Sequence, residues 1–184
     1  MTQLALITRS DSIDSILEPH RAAIGQSLYD GYRNHAYRML NFGRALAPPE
    51  PDRDERLAVM SAFHDLPFCL DGDLDYLERA ADLSDAWLDE HGRSAWRDEI
   101  RLMIGHHHKI RPYRGPSAPL VEATRKADWI DVSFCALRFG LSRSYVREVD
   151  AAFPLTGFYP TPAWPMVARY AARHLCRPIP MLRW

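Results

Sequence analysis

Cysteine is scarce in this 184-residue chain: Cys69, Cys135 and Cys176 are far apart and include no Cys-x-x-Cys pair. An odd, scattered set excludes a disulfide framework and a cysteine-rich zinc site. No apolar run approaches the ~20 residues of a membrane-spanning helix. The apolar stretch from Leu4 to Ile7 is too short for the hydrophobic region of a secretory leader. A dominant charge is also lacking, because 23 Lys and Arg stand against 24 Asp and Glu, a net charge of −1. That balance provides no broad footprint for a nucleic-acid polymer or a membrane surface. The small excess of arginine over lysine in the C-terminal half suits a local anion site better than a polymer track. The expected setting is a reducing cytoplasm. There is no internal repeat, and no stretch alternates in polarity with β-branched enrichment, so nothing reads as a strand.

What is present is helical periodicity. The hydrophobic share of 47% and charged share of 26% are ordinary for a globular protein, and the length suffices to bury a core without staples. Residues 1–18 read as an N-terminal arm, loosely attached up to residue 9, with Ser10 or Ser12 capping a short helix over 12–18. Residues 19–152 read as the helical domain, and 153–184 as a proline- and aromatic-rich extension. That extension is expected to pack on the domain, with a short helix over 163–175, or against a second copy in a homodimer. The expected class is all-α, a bundle of about six or seven helices.

Within the domain, Ile24, Leu28, Tyr32, His35, Met39 and Phe42 recur at spacings of three and four and form one helical face. Gly25 and Gly31 are candidate breaks. Asp52 or Asp54 caps a helix running to His64, with Leu57 and Met60 on the same face as the histidine. Leu66 to Gly72 reads as a loop, and Asp73 as the cap of the next helix. Ser94 caps a fourth helix, whose stripe of Ile100, Met103 and Ile104 ends on His107. Pro119 starts a fifth helix, expected to reach Phe139, with Val121, Thr124, Asp128, Asp131 and Cys135 on one face. Ser142 or Ser144 caps a sixth, ending near Ala152.

Four residues on these elements stand out chemically. His35 lies mid-face, where it also reads as a core histidine with a backbone partner. His64 and Asp65 sit side by side at a helix end before Pro67. Asp128 is a carboxylate in the middle of a packed helix, and a buried carboxylate needs a partner or a metal. Two imidazoles and two carboxylates suit one divalent transition metal: Mn, Fe, Co, Ni or Zn.

The order H…HD…D in a helical chain resembles the HD-domain superfamily of metal-dependent phosphohydrolases, over roughly residues 20–140. The resemblance implies His35, His64, Asp65 and Asp128 as metal ligands, and hydrolysis of a small phosphorylated metabolite, most commonly a nucleotide. Members with two metals carry further histidines between the pair and the last aspartate. His107, or its neighbour His106, fits the later position, whereas Tyr76 stands near the earlier one. One metal is therefore expected, with His107 beside it as a general acid or substrate contact. No acid immediately follows the pair. Asp71, Asp73, Asp75 and Glu78 are the nearest candidates for a general acid or base, with Asp73 taken for that role.

Asn34-His35-Ala36-Tyr37-Arg38 is also similar to the start of cyanamide-hydratase-like HD proteins. Arg38 then either meets a substrate phosphate or holds Asp65 or Asp131. Lys109, Arg111, Arg114 and Lys126 are further phosphate candidates, or a solvated rim. The alternatives are a hydratase or amide hydrolase, an iron oxygenase if two metals bind, or a degenerate scaffold that binds a ligand.

Overall fold

A computed structural model describes residues 4–155. Of these, 68% are helical and none forms a strand, so the all-α expectation holds. The α-helical segments among the described residues are α1 Asp11–Leu17, α2 Arg21–Ile24, α3 Gln26–Leu46, α4 Arg53–Phe63, α5 Leu66–Asp71, α6 Leu77–Glu90, α7 Arg97–His106, α8 Ala118–Val132 and α9 Arg143–Ala152. Apart from the short α2 and α5, seven helices remain, as the periodicity suggested.

The long helix α3 is the axis of the fold. It packs against α4 on one side and α8 on another, while α7 touches both α4 and α8. These four helices therefore close a ring, with α6 laid against α7 and α1 across α4. The apolar stripes explain the arrangement. Tyr32, Ala36 and Phe42 of α3, Leu57 and Met60 of α4, Ile100, Met103 and Ile104 of α7, and Val121 and Ile130 of α8 are completely buried. Burying each large apolar side chain contributes about 1.5–3 kcal/mol. Near its C-terminal end α3 runs close to α4, because a Cβ on Gly43 would stand 3.1 Å from Leu57 Cδ2.

Several boundaries differ from the sequence expectation. Of the two candidate breaks, only Gly25 separates helices, with φ of +83°, while Gly31 lies buried inside α3. The segment after Asp65 is not a loop but α5. Pro67 falls in its first turn, where a missing N–H costs nothing, and Gly72 ends it in the left-handed conformation. Asp73 caps no helix: it accepts the Asp75 amide in a local turn, and α6 begins at Leu77. The fifth helix stops at Val132, because Phe134, Cys135 and Phe139 all have positive φ, which an α-helix does not allow.

The N-terminal segment is held, not loose. Ile7 N–H donates to Asn41 Oδ1 at 2.9 Å and Ser10 N–H donates to Tyr37 Oη at 2.9 Å. Ile13 and Leu17 of α1 are fully buried. At the other end, Phe153 stacks on Tyr37 with ring centroids 4.8 Å apart. The helix expected over 163–175 and most of the C-terminal extension lie outside the described residues. Among the described residues, no helix is long and apolar enough to cross a membrane.

Candidate metal centre

Each helix of the ring delivers part of one polar cluster. His35 comes from the middle of α3, and His64 and Asp65 follow the last turn of α4. His107 and His108 follow α7, and Asp128 and Asp131 come from α8. All are buried except His108, whose side chain is 13% exposed. The four ligands expected from the sequence are therefore brought together, and His107 joins them.

Three of the imidazoles are fixed in the same tautomer. His35 Nδ1 donates to Asp131 Oδ2, His64 Nδ1 donates to the Ser61 carbonyl at 2.9 Å, and His107 Nδ1 donates to the Ile104 carbonyl at 2.6 Å. Carbonyl and carboxylate oxygens only accept, so each Nδ1 carries the proton. The Nε2 lone pairs are left to face one another, and those of His35 and His64 stand 2.9 Å apart. Two lone pairs at that distance repel unless a proton or a metal cation lies between them. This is how second partners orient histidines toward a metal.

The carboxylates complete the set. His64 Nε2 is 3.4 Å from Asp65 Oδ2, and His107 Nε2 is 3.5 Å from Asp65 Oδ1. His35 Nε2 is 3.9 Å from Asp128 Oδ1. Two buried atoms, His107 Nε2 and Asp128 Oδ1, have no hydrogen-bond partner among the described residues. Three groups each gather ligand atoms within 4.8 Å of one another: His35–His64–Asp128, His64–Asp65–His107 and His107–His108–Asp128. The donors and the orphaned atoms fit a bound cation.

The charges agree with that fit. Burial drives His64 down to about 3, so it is neutral near pH 7. Burial alone would raise Asp65, but the surrounding imidazoles of His64, His107 and His108 hold its carboxyl well below the ordinary range. Asp128 is lowered against its burial by the charge and hydrogen bond of His108. Asp131 is pulled down to about 2 against its burial, chiefly by the Arg38 guanidinium. His107 is raised, because the Asp65 carboxylate outweighs its burial. Three buried carboxylates thus face one buried guanidinium and a set of imidazoles, a donor set that a divalent cation can neutralise.

Arg38 does not line the ligand cluster. It is fully buried, and its Nε and Nη2 grip Asp131 at 2.5 and 2.8 Å. Its Nη1 donates to the carbonyls of Phe153 and Pro154 at 2.8 and 3.2 Å. Of the two readings of Arg38, the geometry is that of the holder of Asp131, which in turn fixes His35. Asp73 is exposed on its turn and is not among the residues that gather here. Arg111 and Arg114 are exposed beyond the histidine run.

Sequence reasoning missed two participants. His108 donates through Nδ1 to Asp128 Oδ2 at 2.9 Å, and its Nε2 lies 3.1 Å from Tyr76 Oη. The Tyr76 hydroxyl donates to Asp65 Oδ1. Tyr76 thus occupies the place where a further ligand was sought, as a hydrogen-bond donor to the candidate ligand Asp65. The run of three histidines was the one available signal for His108.

Compared with known protein families, curated proteins and solved structures, the chain matches none.

Proposed function

We propose that this chain is a metal-dependent hydrolase of the HD type that cleaves phosphate esters of small metabolites, nucleotides foremost. The observation that carries the reading is the convergence of the His35, His64 and His107 Nε2 atoms with the Asp65 and Asp128 carboxylates, all buried and all aimed by outer partners. His35, His64, Asp65 and Asp128 would hold the metal. A divalent metal there supplies Lewis-acid polarisation of a phosphoryl oxygen and hydroxide near neutral pH. Asp131 keeps the proton on His35 Nδ1, and Arg38 keeps Asp131 in place. Tyr76 orients Asp65. His107 or His108 would move a proton to or from the substrate. Arg111 and Arg114, close after His108 in the chain, suit the substrate's phosphate.

The group His107–His108–Asp128 supports a second reading, in which two metals bind and the chemistry extends to a hydratase or an oxygenase. One experiment separates these readings. The purified chain is assayed for bound metal, then against phosphate esters and nucleotides with Mn²⁺, Co²⁺ or Ni²⁺. One equivalent with phosphatase turnover supports the first reading. Two equivalents, falling to one in His107→Ala, support the second. No metal uptake leaves a ligand-binding scaffold.

A further inference from the structure

Between α8 and α9 the chain builds a second charged feature, which the proposed hydrolase does not use. A surface cleft of about 330 Å³ is lined by Cys135, Ala136, Arg138, Arg143, Val146 and Arg147. Many arginines elsewhere have carboxylate partners, such as Arg21 with Glu18, Arg33 with Asp14, Arg56 with Glu50 and Glu99, and Arg101 with Asp82 and Asp85, whereas Arg111 and Arg114 stand exposed and do not line this cleft. Arg138, Arg143 and Arg147 have none among the described residues. Asp131 and Asp150 both act on the Cys135 thiol, and Asp150 follows Arg147 by three residues on α9, yet neither forms an ion pair with the three arginines.

The charges of α9 also run against its own dipole. Helices α1, α4, α6 and α7 carry acids in their first turns, as the positive helix start favours. The first turn of α9 has no acid, as in α3 and α8, but it carries an arginine. It opens on Arg143, Arg147 follows one turn later on the same side, and Glu148 and Asp150 stand toward its negative end. This arrangement weakens the helix and suits an anion held at its start. Residues 133–184 hold seven arginines and two acids, whereas residues 1–132 hold 16 Lys and Arg against 22 Asp and Glu. Residues 156–184 contain four arginines and no acid, so that segment does not complement the cleft in charge.

We propose that the Arg138–Arg143–Arg147 cleft binds a small anion with more than one phosphoryl group, of the class of inorganic pyrophosphate or a nucleoside di- or triphosphate. Guanidinium forks match phosphate oxygens in pairs, and a cleft of this size admits a small molecule. Ala136 and Val146 offer an apolar wall to the rest of such a ligand. None of its lining residues belongs to the groups that gather at the metal centre, and its ligand binds without a metal.

The test is calorimetric titration of inorganic pyrophosphate into the full chain with EDTA present, so that no divalent cation at the buried centre contributes. Saturable binding at one site is expected, weakened at least about tenfold in Arg143→Gln/Arg147→Gln and in the loop variant Arg138→Gln. Without ligand, the melting temperature of the double variant is expected to stay level or rise, whereas a structural role for these arginines would lower it. No saturation up to about 1 mM pyrophosphate would overturn the proposal. So would unchanged binding in both variants, or equal binding of citrate and sulfate. A single-stranded oligonucleotide that displaces pyrophosphate at far lower concentration would replace the small anion with a polymer.

Discussion

Arg38 and Arg147 carry the same side chain into opposite surroundings. Arg38 is completely buried, and Asp131 and two backbone carbonyls meet all its nitrogens. Arg147 is exposed at the rim of a cleft and meets no carboxylate among the described residues. Burial makes the difference. An ion taken out of water needs a partner at hydrogen-bond distance, whereas an exposed guanidinium keeps its hydration and gains little from pairing. Unmet polar atoms therefore mean different things in the two places. At the centre, a buried His107 Nε2 and Asp128 Oδ1 without a close hydrogen-bond partner are costly, and they fit a bound cation. At the rim, unpaired arginines become informative because three of them line one cleft, with Arg143 at the start of α9.

This contrast is testable in order of effect. His64→Ala removes a donor shared by two of the ligand groups. It should abolish metal binding, read by elemental analysis, with the helical circular dichroism signal almost unchanged. Retained metal would move the centre elsewhere. Arg38→Ala leaves Asp131 buried without its cation, so a loss of about 3–5 kcal/mol is expected in denaturant unfolding. Arg147→Ala, measured in the same way, should fall within about 0.5 kcal/mol of the parent. Similar losses for the two would erase the distinction.

Asp131→Asn keeps the shape but weakens the hold on His35 and Arg38. Metal affinity should drop about 10–100-fold, and an unchanged affinity would show that Asp131 serves packing alone. Ser142→Ala removes the hydroxyl that accepts the Tyr145 amide at 3.1 Å, at an expected cost of about 1 kcal/mol. The smallest effect is expected from Gly43→Ala. Helix propensity favours alanine by about 1 kcal/mol, but the new methyl meets Leu57 at 3.1 Å. The two effects should nearly cancel, and a large loss would show that α3 and α4 cannot yield there.

Much of the centre was legible in the chain. Periodicity placed His35 on the inner face of α3, and the His64-Asp65 pair announced itself as a helix end. Asp128 and Asp131 could be put on one face of α8 because they are three residues apart. His108 was harder, since α7 ends at His106 and helical spacing no longer dictates where the next side chains point. Tyr76 was noticed only as a poor ligand, and its bond to Asp65 depends on how the segment before α6 folds back. Asp73 misled for a local reason. Its capping tendency is real, but it is satisfied by the Asp75 amide in a turn.

By itself the sequence determined the helical class, the apolar stripes and the residue types of the centre, because these follow from spacing along one element. Tertiary structure decided which donors meet. Closure of α3, α4, α7 and α8 into a ring sets His35 beside His64, Asp131 behind His35, and Arg38 behind Asp131. In the folded chain α8 ends at Val132, and Cys135, Ala136 and Arg138 line a cleft with residues of α9. Those outcomes depend on contacts between residues up to 96 positions apart, which no local periodicity encodes.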